Sequence, residues 1–319
     1  MKKVLFYLLF IVFLIIVMPM VFTKKFETEE VSKTIPYDYG DYSQIKLLHV
    51  QDGSIEKINL DEYLYGCVAS EMPASFDIEA LKAQSVVART YTIYQMKNSD
   101  KHEGADLCDS SLCCQAWMTK ENRFSRWEDE KEDEYWKKIA KAVDDTKGKV
   151  IFYNDEPINA LFHSNSGGIT ELAINVWGGE YPYLQVVETS GEDAYSSYNS
   201  EVRISKDNLV QKMMSKYSDF TIDFGKDDFI KIIENTSSKR VSKIKVGNKE
   251  LTGVEARSLL GLKSTQFNYK VENDEVIFSV IGYGHGVGFS QCGADSLAKQ
   301  GKNYEEIIKY YYKDVSIHE

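Results

Sequence analysis

The sequence predicts a mixed α+β fold: a two-lobed domain with a substrate groove, preceded by one transmembrane helix. Segments with helical spacing and short apolar runs typical of strands follow each other without regular alternation. This order disfavours a doubly wound parallel sheet, in which strands and helices alternate one for one. A long apolar segment stands at the N-terminus, and residues 45–319 are sufficient for one large domain or a two-lobed one.

The N-terminal residues 1–22 are predicted to be an uncleaved membrane anchor. Residues 4–22 are apolar and interrupted only by Pro19. At about 1.5 Å per residue, a helix over this run roughly spans the ~30 Å core of a bilayer. The alternative is a cleaved signal peptide, but no small-x-small cleavage site follows the run. Lysines flank both ends of the run, so charge alone does not settle the orientation of the anchor.

Residues 23–44 are polar and lack a sustained apolar period, which is typical of a tether. The folded domain is therefore expected to span residues 45–319. The net charge of −11 argues against a nucleic-acid partner, because phosphate binding needs clustered Lys and Arg. The 21 tyrosines suit a surface that stacks on sugar rings, although most of them are expected in the core.

The first elements of the domain are two helices. One helix ends at Glu71, because Pro73 forces a break immediately afterwards. The second helix carries Lys82, Ser85 and Arg89 at helical spacing among apolar residues. These residues predict an unusual polar face.

Further along the chain, the patterns predict elements of both types. The densely charged residues 120–138 predict a solvated helix that continues until Gly148 ends it. Residues 149–153 and 158–162 predict a hairpin, because a turn-forming Asn-Asp-Glu-Pro segment separates them. The remaining predicted elements are a strand at 202–205, a helix at 206–216, strands at 229–233 and 241–246, a helix at 253–260 capped by Thr252, strands at 267–271 and 275–281, and helices at 291–300 and 304–312.

Glu71 is the candidate catalytic residue. It is an isolated acidic residue in an apolar context at the end of a helix. Such an environment raises the pKa of a carboxyl group toward neutrality. A raised pKa is what a general acid needs, so chemistry is expected to start at Glu71.

Three of the five cysteines cluster behind a histidine, in the pattern His102-x5-Cys108-x4-Cys113-Cys114. Thiolates and an imidazole at these separations can close a tetrahedral zinc site. The alternatives are a disulfide and free buried cysteines, and the spacing alone does not decide among them. Three Cys and one His leave no coordination position for water, so a zinc ion here is expected to be structural.

Two glycine-rich segments present polar side chains after predicted strands. Neither segment fits a phosphate loop, a dinucleotide fingerprint or a serine nucleophile elbow. Their glycines allow close backbone approach to a ligand, and the alternative is a pair of tight turns with locally bonded histidines. The candidate substrate-binding residues in these segments are His163, Ser164, Ser166, His285 and Ser290.

Taken together, five segments in this order resemble the SpoIID/LytB family. The resemblance covers essentially everything after the tether. The segments are Ser70-Glu-Met-Pro-Ala-Ser, Glu79-Ala-Leu-Lys-Ala-Gln with Ala88-Arg-Thr-Tyr, His163-Ser-Asn-Ser-Gly-Gly, Val176-Trp-Gly-Gly and Gly284-His-Gly-Val-Gly-Phe-Ser-Gln-Cys-Gly-Ala.

The resemblance implies a lytic transglycosylase that cleaves peptidoglycan after N-acetylmuramic acid and leaves a 1,6-anhydro end. It implies action outside the mother-cell membrane during forespore engulfment in sporulation, on strands preferably denuded of stem peptides. The implied partners are the amidase SpoIIP and the membrane protein SpoIIM. The LytB side of the family implies an alternative, a non-catalytic glycan-binding enhancer of amidases. A zinc-dependent wall hydrolase is a further alternative.

The resemblance also assigns residues. The family's catalytic acid falls on Glu71, while Lys82, Gln84 and Arg89 are expected either to orient the glycan or to stabilise the fold beside it. Some members bind zinc through two Cys and two His in this region, and Cys113 stands where the family often has His. A second departure is Cys292, where Trp is common.

Overall fold

The computed structural model describes residues 38–319. The predicted membrane anchor and most of the predicted tether lie outside these residues. Within residues 38–319, no helix combines the length and the apolar character that crossing a membrane requires.

The described residues form a mixed α+β fold, as predicted. The α-helices are α1 (Leu60–Glu71), α2 (Ile78–Asn98), α3 (Lys120–Phe124), α4 (Glu132–Asp144), α5 (Ile174–Trp177), α6 (Lys206–Met214), α7 (Gly253–Leu260), α8 (Gln291–Lys299) and α9 (Tyr304–Tyr311). The strands are β1 (Gln44–Leu48), β2 (Ile55–Asn59), β3 (Leu107–Cys108), β4 (Val150–Tyr153), β5 (Glu156–Pro157), β6 (Phe162–His163), β7 (Asn199–Ser205), β8 (Ile230–Asn235), β9 (Val241–Val246), β10 (Lys249–Thr252), β11 (Gln266–Glu272), β12 (Glu275–Ile281), β13 (Phe289–Ser290) and β14 (Ser316–His318). Short 3-10 helices occur at Gly40–Tyr42 and Glu192–Ala194.

The described residues form two lobes, and each lobe has its own hydrophobic core. The larger core surrounds α2, which packs against α1, α4, α8, α9 and β4. The smaller core is formed by buried residues between positions 204 and 280. The antiparallel sheets β11-β12-β7 and β10-β9-β8 surround it together with the helices α6 and α7. The chain leaves the larger lobe at β7 and returns to it after β12, so the smaller lobe is an insertion between the two glycine-rich segments.

Most predicted elements from residue 199 onward are confirmed. The helix at 253–260 begins with the predicted cap: the Thr252 hydroxyl accepts from the Glu255 backbone N–H, and the Glu255 carboxylate accepts from the Thr252 N–H. The predicted strand pair at 267–271 and 275–281 forms the antiparallel pair β11 and β12.

Three expectations are corrected. The fold begins before residue 45, because the Tyr39 hydroxyl donates to Asp61 Oδ1 at 2.8 Å and accepts from the Gly148 N–H. The predicted helix from residue 120 to Gly148 is divided into α3 and α4, with a turn at residues 125–131. The hairpin after Gly148 is present, but its second strand is Glu156–Pro157 rather than 158–162.

Candidate active site

Glu71 is held at the C-terminal end of α1. The helix starts at a cap in which the Asn59 side chain accepts from the Asp61 N–H at 3.0 Å. It ends at Glu71 because Met72, the residue before Pro73, is extended with φ −127° and ψ 139°. The preceding residues Cys67 and Val68 have no exposed surface, so the Glu71 side chain emerges from an apolar helix end.

Burial dominates the electrostatics of this carboxyl group. Desolvation raises the pKa of Glu71 from 4.5 to about 7, and the opposing effect is a hydrogen bond from the Ala116 backbone N–H to Oε1. The C-terminal end of a helix also carries partial negative charge, which disfavours a carboxylate there. A substantial fraction of Glu71 therefore carries a proton at neutral pH.

Glu71 lines a cleft of about 350 Å³. One side of this cleft comes from the chain around the end of α1, and the other from α3, the following turn and α4. No sequence pattern points to Arg123, Trp127 or Tyr135 as part of this site, yet all three line the cleft. Among the residues of 38–319 that line the cleft, Glu71 carries the only carboxyl group; the lining residues are Ser70, Glu71, Met72, Pro73, Ala74, Ser75, Arg123, Trp127 and Tyr135.

The cleft wall opposite Glu71 is aromatic and basic. The rings of Trp127 and Tyr135 meet edge to face with centroids 5.5 Å apart. The guanidinium carbon of Arg123 lies 4.7 Å from the centroid of the Trp127 ring. An apolar surface with one cation suits a sugar polymer that carries a negative charge.

The predicted metal ligands converge. One ligand atom from each of His102, Cys108, Cys113 and Cys114 lies within 4.8 Å of the others. His102 Nε2 is 3.3 Å from Cys114 Sγ and 3.6 Å from Cys113 Sγ, and the Sγ atoms of Cys113 and Cys114 are 3.9 Å apart. A tetrahedral zinc with bonds of about 2.0 to 2.3 Å holds its ligand atoms about 3.5 to 3.8 Å apart, so the cluster fits zinc.

The same geometry bears on the disulfide alternative. All five cysteines are free thiols in this structure, and the two adjacent sulfurs of the cluster are too far apart to be bonded. Cys113 belongs to the group of four. The His/Cys cluster, defined by His102, Cys108, Cys113 and Cys114, is a candidate metal centre.

The polar residues of α2 are placed in the core. Arg89 has no exposed surface, and its guanidinium donates to the carbonyls of Val143 at 3.2 Å and Lys149 at 3.4 Å. It therefore caps the C-terminal end of α4, where a cation is favoured. Gln84 is also fully buried, and its Oε1 accepts from Gln291 at 3.3 Å. Of the two roles expected for Arg89 and Gln84, burial favours stabilising the fold over orienting the glycan, because neither side chain lines the cleft.

Lys82 is the third α2 residue for which a glycan contact was predicted. It is partly exposed, and it pairs with Glu79 at 2.9 Å and with Asp145 at 3.3 Å. The pair with Glu79 lies within α2, whereas the pair with Asp145 joins α2 to the end of α4. A contact between Lys82 and glycan stays a prediction, since Lys82 is not among the residues that line the cleft.

The two glycine-rich segments lie side by side in the structure. β6 pairs with β13 in parallel, and Gly284 lies so close to His163 that an added Cβ would stand 2.7 Å from the His163 Cβ. The imidazoles of His163 and His285 have centroids 5.5 Å apart, and the exposed Trp177 ring lies 4.9 Å from His285. Burial lowers the pKa of both histidines, that of His163 to about 3, so both are neutral.

Ser166 and Ser290 donate hydrogen bonds to the buried carboxylate of Glu192, to which no sequence pattern points. Glu192 accepts from the Ser166 hydroxyl at 2.6 Å, from the Thr189 hydroxyl at 2.8 Å and from the Ser290 hydroxyl. Ser166 and Ser290 have no exposed surface, which corrects their assignment as glycan contacts. Ser164 is half-buried and its carbonyl accepts from the Cys292 N–H at 2.9 Å, so a glycan contact at Ser164 or at the histidines stays a prediction.

The fold and the site define an α+β protein with a single-carboxylate cleft beside a His/Cys cluster. The SpoIID family model, described as stage II sporulation protein, matches residues 50–153, which contain Glu71, the cleft wall and the cluster. Stage II sporulation protein D of Bacillus subtilis (strain 168) is 36% identical over 277 residues, which are 86% of this chain and 79% of the relative. The corresponding protein of Bacillus amyloliquefaciens is 34% identical over 277 residues, 86% of this chain and 78% of the relative.

A more distant relative is named amidase enhancer, from Bacillus subtilis (strain 168). It is 29% identical over 302 residues, which are 80% of this chain and 40% of the relative. The chain belongs to the SpoIID family of sporulation proteins.

Proposed function

We propose that this protein is a lytic transglycosylase that cleaves peptidoglycan glycan strands after N-acetylmuramic acid, with Glu71 as its general acid and base. The observation that carries the proposal is the cleft in which Glu71, with a pKa raised to about 7, is the only carboxyl group among the described lining residues. A glycoside hydrolase normally needs two carboxyl groups, about 5 to 9.5 Å apart.

A transglycosylase needs only one such group. Protonated Glu71 gives its proton to the glycosidic oxygen, and the bond between that oxygen and the anomeric carbon breaks. The 6-hydroxyl of the same muramic acid then attacks its own anomeric carbon and gives its proton to the Glu71 carboxylate. The products are a free hydroxyl on the departing sugar and a 1,6-anhydro ring, with no water consumed and Glu71 protonated again.

Zinc is proposed to occupy the His/Cys cluster, held by His102, Cys108, Cys113 and Cys114. Four such ligands leave no open position, so the ion would supply folding energy and not Lewis-acid chemistry. The zinc hydrolase alternative is disfavoured for the same reason.

The cellular setting rests on the family and on the sequence. The proposed anchor at residues 1–22 would hold the domain on the outer face of the mother-cell membrane, within reach of the wall, during engulfment. The proposed partners are SpoIIP, whose amidase activity denudes the strands, and SpoIIM. The similarity to an amidase enhancer keeps a second candidate open, a glycan-binding protein without catalysis.

Digestion of peptide-free glycan strands with the purified full chain tests the proposal. The expected result is shortening of the strands with 1,6-anhydro muramic ends, and loss of this activity in the Glu71→Gln variant. Reducing ends would instead indicate a hydrolase. Unshortened strands that still bind the protein would indicate the non-catalytic enhancer.

A further inference from the structure

Arg123 is a cation in the Glu71 cleft, and no carboxylate of residues 38–319 forms an ion pair with it. Its side chain is half-buried, and its buried Nε has no hydrogen-bond partner among the same residues. Two effects lower the pKa of Arg123, first desolvation and then the like charge of Arg126, with no carboxylate of residues 38–319 acting in the opposite direction. This arrangement is unusual in a chain whose net charge is −11.

The contact with Trp127 determines how a ligand can approach this charge. The Trp127 ring covers a face of the guanidinium, with 4.7 Å between the guanidinium carbon and the ring centroid. Stacking uses the face of the planar group and leaves its N–H edge for a planar anion. A carboxylate matches that edge with two parallel hydrogen bonds. Binding such an anion would offset both the desolvation of Arg123 and its repulsion from Arg126.

The chemistry of the proposed substrate supplies this anion at one position. Muramic acid carries a lactyl group whose carboxyl is joined to the stem peptide through an amide bond. While the peptide is attached, the lactyl carbonyl is neutral. Hydrolysis of that amide by an amidase leaves a lactyl carboxylate on the strand. The charge of the lactyl group of a muramic acid residue therefore reports whether its peptide has been removed.

We infer that Arg123 binds the free lactyl carboxylate of muramic acid and thereby selects glycan strands from which the stem peptides have been removed. This inference rests on the proposed glycan substrate and deepens it. Arg123 is a specificity residue, while Glu71 carries the proton. Trp127 holds the guanidinium in place and, with Tyr135, provides an apolar surface for the sugar ring.

A binding experiment in the Glu71→Gln chain isolates recognition from cleavage. Two probes are compared: peptide-free glycan fragments with free lactyl carboxylates, and the same fragments with these groups converted to methylamides. The carboxylate form is expected to bind about 10- to 100-fold more tightly, the range for charge-assisted hydrogen bonds. Adding Arg123→Gln should remove this difference by weakening binding of the carboxylate form only. Arg123→Lys, which keeps the charge but not the fork, should retain part of the difference.

The matched control is Arg126→Gln, on the same segment but with an exposed side chain. It should retain most of the discrimination. Equal affinity for the two probes in the Glu71→Gln chain would overturn the inference, as would equal weakening of both probes by Arg123→Gln.

The kinetics separate this inference from the proposed function. On carboxylate strands, Arg123→Gln alone should raise KM and change kcat little. If the wild-type chain cleaves both forms equally well, the inference fails and the transglycosylase stands. If the chain discriminates in binding but cleaves neither form, the inference stands and the catalytic proposal fails.

Discussion

The backbone N–H of Ala116 donates a hydrogen bond to Glu71 Oε1, and Ala116 lies two residues after Cys114 of the His/Cys cluster. Between them, the buried Gln115 side chain donates to the Thr92 hydroxyl at 3.0 Å and to the Tyr63 hydroxyl at 3.3 Å. The segment that follows the His/Cys cluster therefore holds the Glu71 carboxyl group. Because Oε1 accepts this bond from the backbone, Oε2 is the oxygen that would transfer the proton in the proposed mechanism.

The substitution Glu71→Gln should abolish cleavage while the fold is retained. It removes the transferable proton and changes the side-chain volume little, so the rate should fall by about 10²-fold or more. Strand digestion measures the rate, and circular dichroism checks the fold. A folded Glu71→Gln protein with near wild-type turnover would contradict the role of Glu71.

The pH dependence of the free energy of unfolding should also report the raised pKa of Glu71. Its folded pKa of about 7 lies above the unfolded value of 4.5, so the folded state binds the proton more tightly. This contribution is fully present below pH 4.5 and is lost as pH rises through about 7. It amounts to about 3 kcal/mol in the free energy of unfolding.

Denaturant unfolding at pH 5 and pH 8 measures this effect. Wild type should lose stability between the two values, and Glu71→Gln should lose less. Cleavage by wild type should also decline above about pH 7, because the acid form is required. Identical stability changes in both proteins would show that the Glu71 pKa is not raised.

The His/Cys cluster should link the stability of the protein to its activity. The purified chain should contain one zinc, and Cys108→Ser should lower the zinc content, the Tm and the cleavage rate together, because binding energy at a closed site is folding energy. Cys292→Ser is the control, since Cys292 lies outside the cluster and should keep the zinc. Elemental analysis and thermal unfolding provide the measurements. A zinc-free protein with a disulfide at Cys108 by mass spectrometry would favour the oxidised alternative.

Arg89 should matter for stability rather than for recognition. Arg89→Gln removes a buried cation that bonds the carbonyls of Val143 and Lys149, so the free energy of unfolding should fall by about 3 kcal/mol. On the same helix, the exposed Lys97→Gln should cost less than about 1 kcal/mol. Denaturant unfolding compares the two. Full stability of Arg89→Gln combined with lost glycan binding would instead support a direct contact.

The sequence predicted the features that local constraints determine. Pro73 fixes the end of α1 and hence Glu71, and the short separations among the cysteines allowed the His/Cys cluster to be proposed. Arg123 and Trp127 were missed because the packing of α3 against the end of α1 brings them to Glu71 from far along the chain. Glu192 was missed because its partners come from three separate segments.

The polar residues of α2 show a second reason why a sequence pattern does not reveal the contacts of a side chain. Polar residues at helical spacing predict an exposed face, but α2 is surrounded by other elements. The hydroxyl of Ser85 donates to the Leu81 carbonyl at 2.8 Å, and Arg89 caps α4. Both side chains donate to backbone carbonyls, and no sequence period reveals such contacts.

The central claim is that the muramic acid's own hydroxyl, and not water, attacks the anomeric carbon. Digestion of peptide-free strands in water enriched in heavy oxygen tests this claim most directly, with mass spectrometry of the newly formed muramic ends. Attack by the muramic acid hydroxyl should give anhydro ends that lack one water and carry no heavy oxygen. Reducing ends that carry one heavy oxygen would contradict it.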